Sequence, residues 1–355
     1  MCLSFRNVIV KIFMQDELLT RDEFRDTVFR RDNYKCVICG DKANASHHIV
    51  ERRLWDDFGY YISNGASLCG ACHIKAEQTT LSCEEIRDAA GIDKVILPEH
   101  LYDDERYDKW GNAFLPSGQR IRGELFNDES VQKILAQGGV LGDFTKYVKH
   151  PRTFHLPQSE NLTSDDKMIE DTRQFDDKRV IISTKMDGEQ MTWYSDYMHA
   201  RSIDSRFHKS RTFVQNMHSQ IAYLIPEGWR VCGENCYAAH SINYKNLKSY
   251  FYIHSIWNEK NVCLSYDETK EWCELLNLVL VDTLYDGMFT NKAINDTIKQ
   301  LNTTSDEGFV VRNADAFPYS AFRKNVAKWV RKNHVHTHAH WMQQEIVKNE
   351  LRKEE

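Results

Sequence analysis

The chain has 355 residues, room for two domains of ordinary size. It is 41% apolar and 28% charged, a globular balance, and no apolar run approaches the roughly 20 residues a membrane span needs. The net charge of −6 excludes a globally basic nucleic-acid binder, so any surface for a polyanion must be a local patch.

In chain order, the opening MCLSFRNVIVKIFMQDELL has a short apolar patch but neither a basic n-region nor a small-residue cleavage site, so it does not read as a signal peptide, and a cytoplasmic protein is expected. Thr20 ahead of Arg-Asp-Glu is a helix N-cap, with Phe24, Val28 and Phe29 at helical spacing behind it. Two CxxC pairs follow, Cys36/Cys39 and Cys69/Cys72. In a reducing cytosol such pairs point to metal ligands rather than disulfides, and four thiolates suit tetrahedral Zn²⁺. Cys2, Cys83, Cys232, Cys236, Cys263 and Cys273 read as small apolar residues. Between the pairs lie His47, His48 and Asn64, and His73 directly follows Cys72.

With the CxxC pairs, HHI, the asparagine and the CH in that order, residues 20–78 resemble the HNH endonuclease family, a ββα-metal fold. The resemblance gives His47 and His73 to a divalent metal, makes His48 the general base for water, and has Asn64 orient that base. A neutral imidazole accepts a proton near pH 7 while a metal stabilises charge on a phosphate. The plainer reading is a zinc-held knob that binds without cutting.

Residues 80–145 open with a helix ended by Gly91, pass through an irregular Pro/Gly-marked stretch, and include DESVQKIL, a helix capped by Asp128 and ended by Gly138-Gly139. No chemistry is assigned there. The expected organisation is a zinc domain over 1–90, a connector over 91–145, a catalytic domain over 146–342 and a charged tail over 343–355. From about 146, strands are expected in RVIIST, QMTWYS, WRVCGENCYA, SYFYIHSIWN, GFVVRN and AKWVRK, and helices around 210–224, 267–277 and 291–301. The fold class is α+β with antiparallel sheets. Lys185 ends one strand ahead of Asp187-Gly188, Glu234 ends another, Glu307 begins a third, and Lys328 lies within a fourth. Each alone is an ordinary strand-end charge.

Together KMDG, HARSID, CGENCYAAHSI, YFYIHSIW, DEGFVVR and VAKWVRK resemble the covalent nucleotidyltransferase superfamily of RNA ligases, DNA ligases and capping enzymes, and the glutamate motif is most similar to RNA ligases. The resemblance implies an antiparallel-sheet, ATP-grasp-like ligase domain, preceded by the small zinc domain. It makes Lys185 the nucleophile toward ATP, and gives Glu234 and Glu307 the ribose hydroxyls and Mg²⁺ or Mn²⁺. Arg201 takes the ribose or an acceptor phosphate. Lys328 and Arg331 clamp the triphosphate and lower the pKa of Lys185. It implies transfer of AMP from Lys185 to a 5′-phosphate and sealing by a 3′-hydroxyl of RNA, whether nicked duplex or tRNA, in phage or bacterial repair. No membrane is involved, and DNA contact through the first domain is left open. The stacking motif usually carries an aromatic where this chain has His254, so His254, Phe251 or Tyr252 would face the base. Only about 25 residues follow VAKWVRK, too few for a further oligonucleotide-binding domain. The alternatives are an HNH nuclease using the ligase fold for binding, and a non-catalytic adaptor. NHVHTHAHW places His334, His336, His338 and His340 at alternate positions, a metal site if the segment is a strand.

Overall fold

The structure is a computed structural model that describes residues 17–159, 166–301, 306–331 and 346–353. The His334–His340 cluster, Cys2 and the opening apolar patch lie outside the described residues. The chain divides after Val148 into two compact units.

In the first unit, helix α1 (Arg21–Arg31) starts at a capping box in which Thr20 and Glu23 exchange hydrogen bonds. Strand β1 (Ala45–His48) pairs antiparallel with β2 (Gly65–Leu68), setting His47 opposite Ala66 and His48 opposite Gly65. Gly65 is required: a Cβ there would lie 2.5 Å from Val28 Cγ2 and 2.7 Å from the Phe24 ring. Helix α2 (Gly70–Glu77) follows Cys69, and α3 (Cys83–Ala90) ends at Gly91, whose φ of 64° is left-handed. The segment read as a connector folds onto these elements. Glu51 N–H donates to the Lys109 carbonyl at 2.8 Å, and the Trp110 indole donates to the Glu77 carbonyl at 2.8 Å. A hairpin, β3 (Ala113–Phe114) with β4 (Arg120–Ile121), and helix α4 (Glu129–Gln137) complete the unit around buried Trp110, Phe126, Val131 and Leu135.

The second unit has two sheets among its described residues. One runs in the order β13 (Thr283–Met288), β6 (Arg179–Lys185), β14 (Gly308–Asn313), β16 (Val326–Val330), β5 (Phe154–His155). Val180, Ile181 and Ile182 of β6 are wholly buried, as expected for an interior strand covered on both faces. The other sheet runs β15 (Phe317–Pro318), β11 (Val262–Cys263), β10 (Phe251–Trp257), β9 (Arg230–Asn235), β7 (Glu189–Trp193), β8 (Met198–Ala200), with β12 (Val279–Leu280) parallel to β10. Its core stacks Trp193 on Phe251 at 3.9 Å. Helices α5 (Thr212–Ile221), α6 (Tyr266–Leu275) and α7 (Asn291–Gln300) fall where helical spacing predicts them. Strand β13 is unexpected: it is largely exposed, with Leu284 and Met288 open to solvent, and it shows no apolar alternation toward a core.

Residues 346–353 are no loose tail. Lys348 bridges to Ala238 and Leu351 to Leu247. The fully buried Asn349 side chain accepts from Tyr244 N–H at 2.8 Å and donates to the carbonyls of Cys236 at 2.8 Å and Ala238 at 3.3 Å.

Candidate functional sites

In the second unit a cavity of about 260 Å³ takes lining residues from both sheets. The antiparallel registers create it. Lys185 ends β6 opposite Gly308, so the preceding Glu307 reaches it, and Lys185 Nζ contacts Glu307 Oε1. A Cβ on Gly308 would lie 2.0 Å from the Trp329 carbonyl oxygen, so only glycine allows this approach. Ser183, Val310 and Lys328 lie side by side across β6, β14 and β16, and all three line the cavity. From the other sheet, Glu234 faces it beside Gln190, its partner across β9 and β7. Exposed Arg201 and part-buried His254 line it as well, the latter with its ring 4.9 Å from His150.

Three expected residues are placed differently. Phe251 is fully buried against Trp193 and does not line the cavity. Strand alternation puts Phe251 and Ile253 in one core and His254 on the opposite face, and a β-bulge between Ile253 and Ser255 then adds Ser255 to the site and returns Ile256 to the core. Asp187 is 6% exposed, and its carboxylate accepts from Ser241 N–H and Oγ, each at 2.8 Å, and from Ile242 N–H at 2.7 Å. It pins the turn after Lys185 to the 236–250 loop rather than lining the cavity. Arg331 follows β16, does not line the cavity, and donates its backbone N–H to the Glu307 carbonyl at 3.1 Å. Gly188 has the close contact its motif implies, since a Cβ would lie 2.5 Å from the Asn235 carbonyl oxygen.

The electrostatics also differ from the expectation. Burial pulls the Lys185 pKa down, but Glu307, Glu234 and Asp187 outweigh it and hold Lys185 above the usual lysine value. The lysine pushed down is Lys328, to about 8, by burial and then by Lys185. Glu234 is pushed up to about 8, chiefly by burial and against the pull of Lys185. Sequence reading missed Gln190, His150, Arg152 and Arg312 in the lining. Gln190 was within reach of it, because strand alternation from Gly188 puts it on the same face.

In the first unit the Sγ atoms of Cys36, Cys39, Cys69 and Cys72 lie within 4.8 Å of one another, with Cys39 and Cys69 3.6 Å apart. A thiolate tetrahedron with Zn–S bonds near 2.3 Å has edges of about 3.8 Å, so the four thiols fit zinc. A second group joins His47, His73 and Glu77, the last missed although it sits one turn beyond His73 on α2. Glu77 Oε1 lies 3.4 Å from His47 Nδ1, 3.3 Å from His73 Nε2 and 3.2 Å from Lys109 Nζ. His47 is 2% exposed, and both its ring nitrogens lack a hydrogen bond. Burial, helped by Lys109, lowers its pKa to about 3, so the ring is a neutral donor. This set fits a divalent metal.

His48 follows on β1 and so takes the opposite face. Its ring stacks on Phe24 at 4.6 Å, and burial first, then Lys109, lowers its pKa to about 4. It opens on a cavity of about 320 Å³. Asn64 does not orient it directly. The Asn64 amide accepts from Val50 N–H at 2.8 Å and donates to the carbonyls of Val50 at 3.0 Å and Gly59 at 3.1 Å, which fixes the loop after β1 instead.

Comparison with known proteins bears on the second unit. No curated protein matches the chain. Among solved structures it is similar to an RNA ligase of Naegleria gruberi, at 16% identity over 52% of this chain and 56% of that one, with a TM-score of 0.36. It is also similar to an archaeal ATP-dependent RNA ligase, at 14% identity over 52% and 48% with a TM-score of 0.38. A putative ATP-dependent DNA ligase from Aquifex aeolicus is similar at 17% identity over 45% of each chain, with a TM-score of 0.31. The chain spans about half the length of these structures. Residues 178–330 match the family model described as RNA ligase, and Lys185, Glu234, Glu307 and Lys328 all lie within that match.

Proposed function

We propose that the chain is an ATP-dependent RNA ligase that works through lysyl-AMP. The observation that carries this reading is one part-buried lysine, Lys185, that contacts Glu307 and lines a cavity with Glu234 and Lys328, inside the segment matching RNA ligases. Lys185 Nζ attacks the α-phosphorus of ATP; an N–P bond forms, the bond to the β-phosphate oxygen breaks, and pyrophosphate leaves with those electrons. A 5′-phosphate oxygen of RNA then takes the AMP from Lys185, and a 3′-hydroxyl displaces AMP as the strand closes. Lys328 and Arg201 hold phosphate, and His254 and His150 offer ring faces to the base. Glu234 and Glu307 supply hard oxygen donors for Mg²⁺ or Mn²⁺, a charge that would neutralise them and favour the free amine at Lys185. Incubation with ATP and Mg²⁺ adds the mass of AMP to the protein, and Lys185→Ala abolishes the gain. No gain in the parent protein under any divalent metal sinks the reading.

A second activity is favoured by the buried, unbonded ring nitrogens of His47 beside His73 and Glu77. In it the first unit is an HNH-type zinc domain that hydrolyses a phosphodiester. His48 takes a proton from water, the water oxygen bonds to phosphorus, and the ester oxygen leaves; a divalent metal held by His47, His73 and Glu77 would stabilise the charge on phosphate. Metal-dependent cleavage that survives His48→Ala refutes it.

A further inference from the structure

The cavity in front of His48 is lined by Arg21, Arg25, Ser46, Arg52, Tyr60 and the edge of Phe24. Arg21 and Arg25 are one turn apart on α1 and project from the same face. Arg52 comes from within the loop that Asn64 fixes and donates to the Tyr60 hydroxyl at 3.4 Å. All three arginines are exposed, and no carboxylate lines the cavity. This is unusual in a chain of net charge −6, where Arg31 and Arg53 are paired with acids. The cavity in front of His48 therefore holds three guanidinium groups and no balancing carboxylate in its lining. Guanidinium forks match phosphate oxygens, and they converge on the imidazole that faces the same space.

The lining also lacks asparagine, glutamine and carboxylates, the side chains that read adenine and cytosine edges. We propose that Arg21, Arg25 and Arg52 form a sequence-independent phosphate clamp that holds a polynucleotide backbone against His48. The inference deepens, and rests on, the reading of His48 as a general base. It supplies the local basic patch that a net acidic chain needs.

The test is fluorescence anisotropy with the full-length, zinc-loaded protein carrying His48→Ala to block cleavage, without ATP. The probes are a single-stranded RNA and a duplex DNA of the same sequence, each with a scrambled version. The triple variant Arg21→Ala/Arg25→Ala/Arg52→Ala is expected to weaken binding at least tenfold. The slope of log K against log salt should shrink by about two to three, at roughly 0.7–0.9 for each phosphate no longer neutralised. Scrambling leaves affinity unchanged. The triple lysine variant, which keeps the charge, retains most of the slope, and equal zinc content in all variants confirms a folded first unit. Weaker binding of RNA alone, DNA alone or both supports the clamp and identifies its source polymer. Unchanged affinity and slope on both polymers, or a tenfold preference between scrambled sequences, overturns it. If the clamp variants lose binding but the parent protein cleaves neither polymer, the clamp stands and the general-base reading falls.

Discussion

Replacing Glu307 with glutamine removes the anion that holds Lys185 as an ammonium ion while preserving side-chain size. Lys185 Nζ contacts Glu307 Oε1, and Glu307 is only 4% exposed, so water screens the pair weakly. An opposite charge at this range shifts a pKa by ~1–3 units, each worth about 1.4 kcal/mol. Glu234 and Asp187 still favour the charged form in the variant, so the lower part of that range applies, about one to two units. Burial, now less opposed, pulls the pKa down, and the neutral fraction at mildly alkaline pH rises about 10- to 100-fold. The assay is pH-dependent labelling of Lys185 by trinitrobenzenesulfonate, read from the mass of its peptide. The labelling midpoint moves to lower pH, while adenylylation by ATP falls because the carboxylate proposed to hold Mg²⁺ is gone. Faster labelling with slower adenylylation separates this outcome from simple misfolding. A midpoint that stays put or rises refutes the claim that Glu307 sets the charge of Lys185.

Lys328, with its pKa lowered to about 8, loses its proton as pH rises through 8, so ATP affinity measured by calorimetry drops above that pH. Lys328→Arg stays charged and removes the drop. Cys39→Ser lowers bound zinc, measured by atomic absorption, by one equivalent per chain, and reduces the melting temperature of the first unit, because structural zinc binding is folding free energy. Asn349→Ala removes three side-chain hydrogen bonds from a fully buried site and costs about 1–3 kcal/mol in denaturant unfolding. It also slows lysyl-AMP formation, since the loop it braces holds Asp187.

Interior elements were legible in the sequence for a physical reason. Val180-Ile181-Ile182 had to be a buried strand, and the Thr20 and Asp128 caps marked the starts of their helices. The strand positions of Lys185, Glu234, Glu307 and Lys328 were legible because each lies next to a glycine or an apolar run. What escaped depended on pairing rather than on local pattern. Strand β13 is exposed and is defined only by its hydrogen bonds to β6. The bulge in β10 brings Ser255 to the cavity beside His254, whereas Phe251 lies on the opposite face by strand alternation alone. The raised pKa of Lys185 followed from Glu307 arriving across the register with β14, an outcome that a tally of nearby cations did not anticipate. Lys109 reaches Glu77 from a segment that showed no chemical pattern at all.

The bracing of the 236–250 loop by Asn349 also orders events in time. Tyr244, whose hydroxyl accepts the Asp187 backbone N–H at 3.0 Å, lies 105 residues before the asparagine that holds its own backbone. At 5–20 residues per second of synthesis, that interval lasts about 5–20 s. Throughout it the nascent chain already carries Lys185, but the turn beyond it has no finished clasp. A chain that stops before residue 346 would therefore keep Lys185 but lack the brace on the loop that holds Asp187.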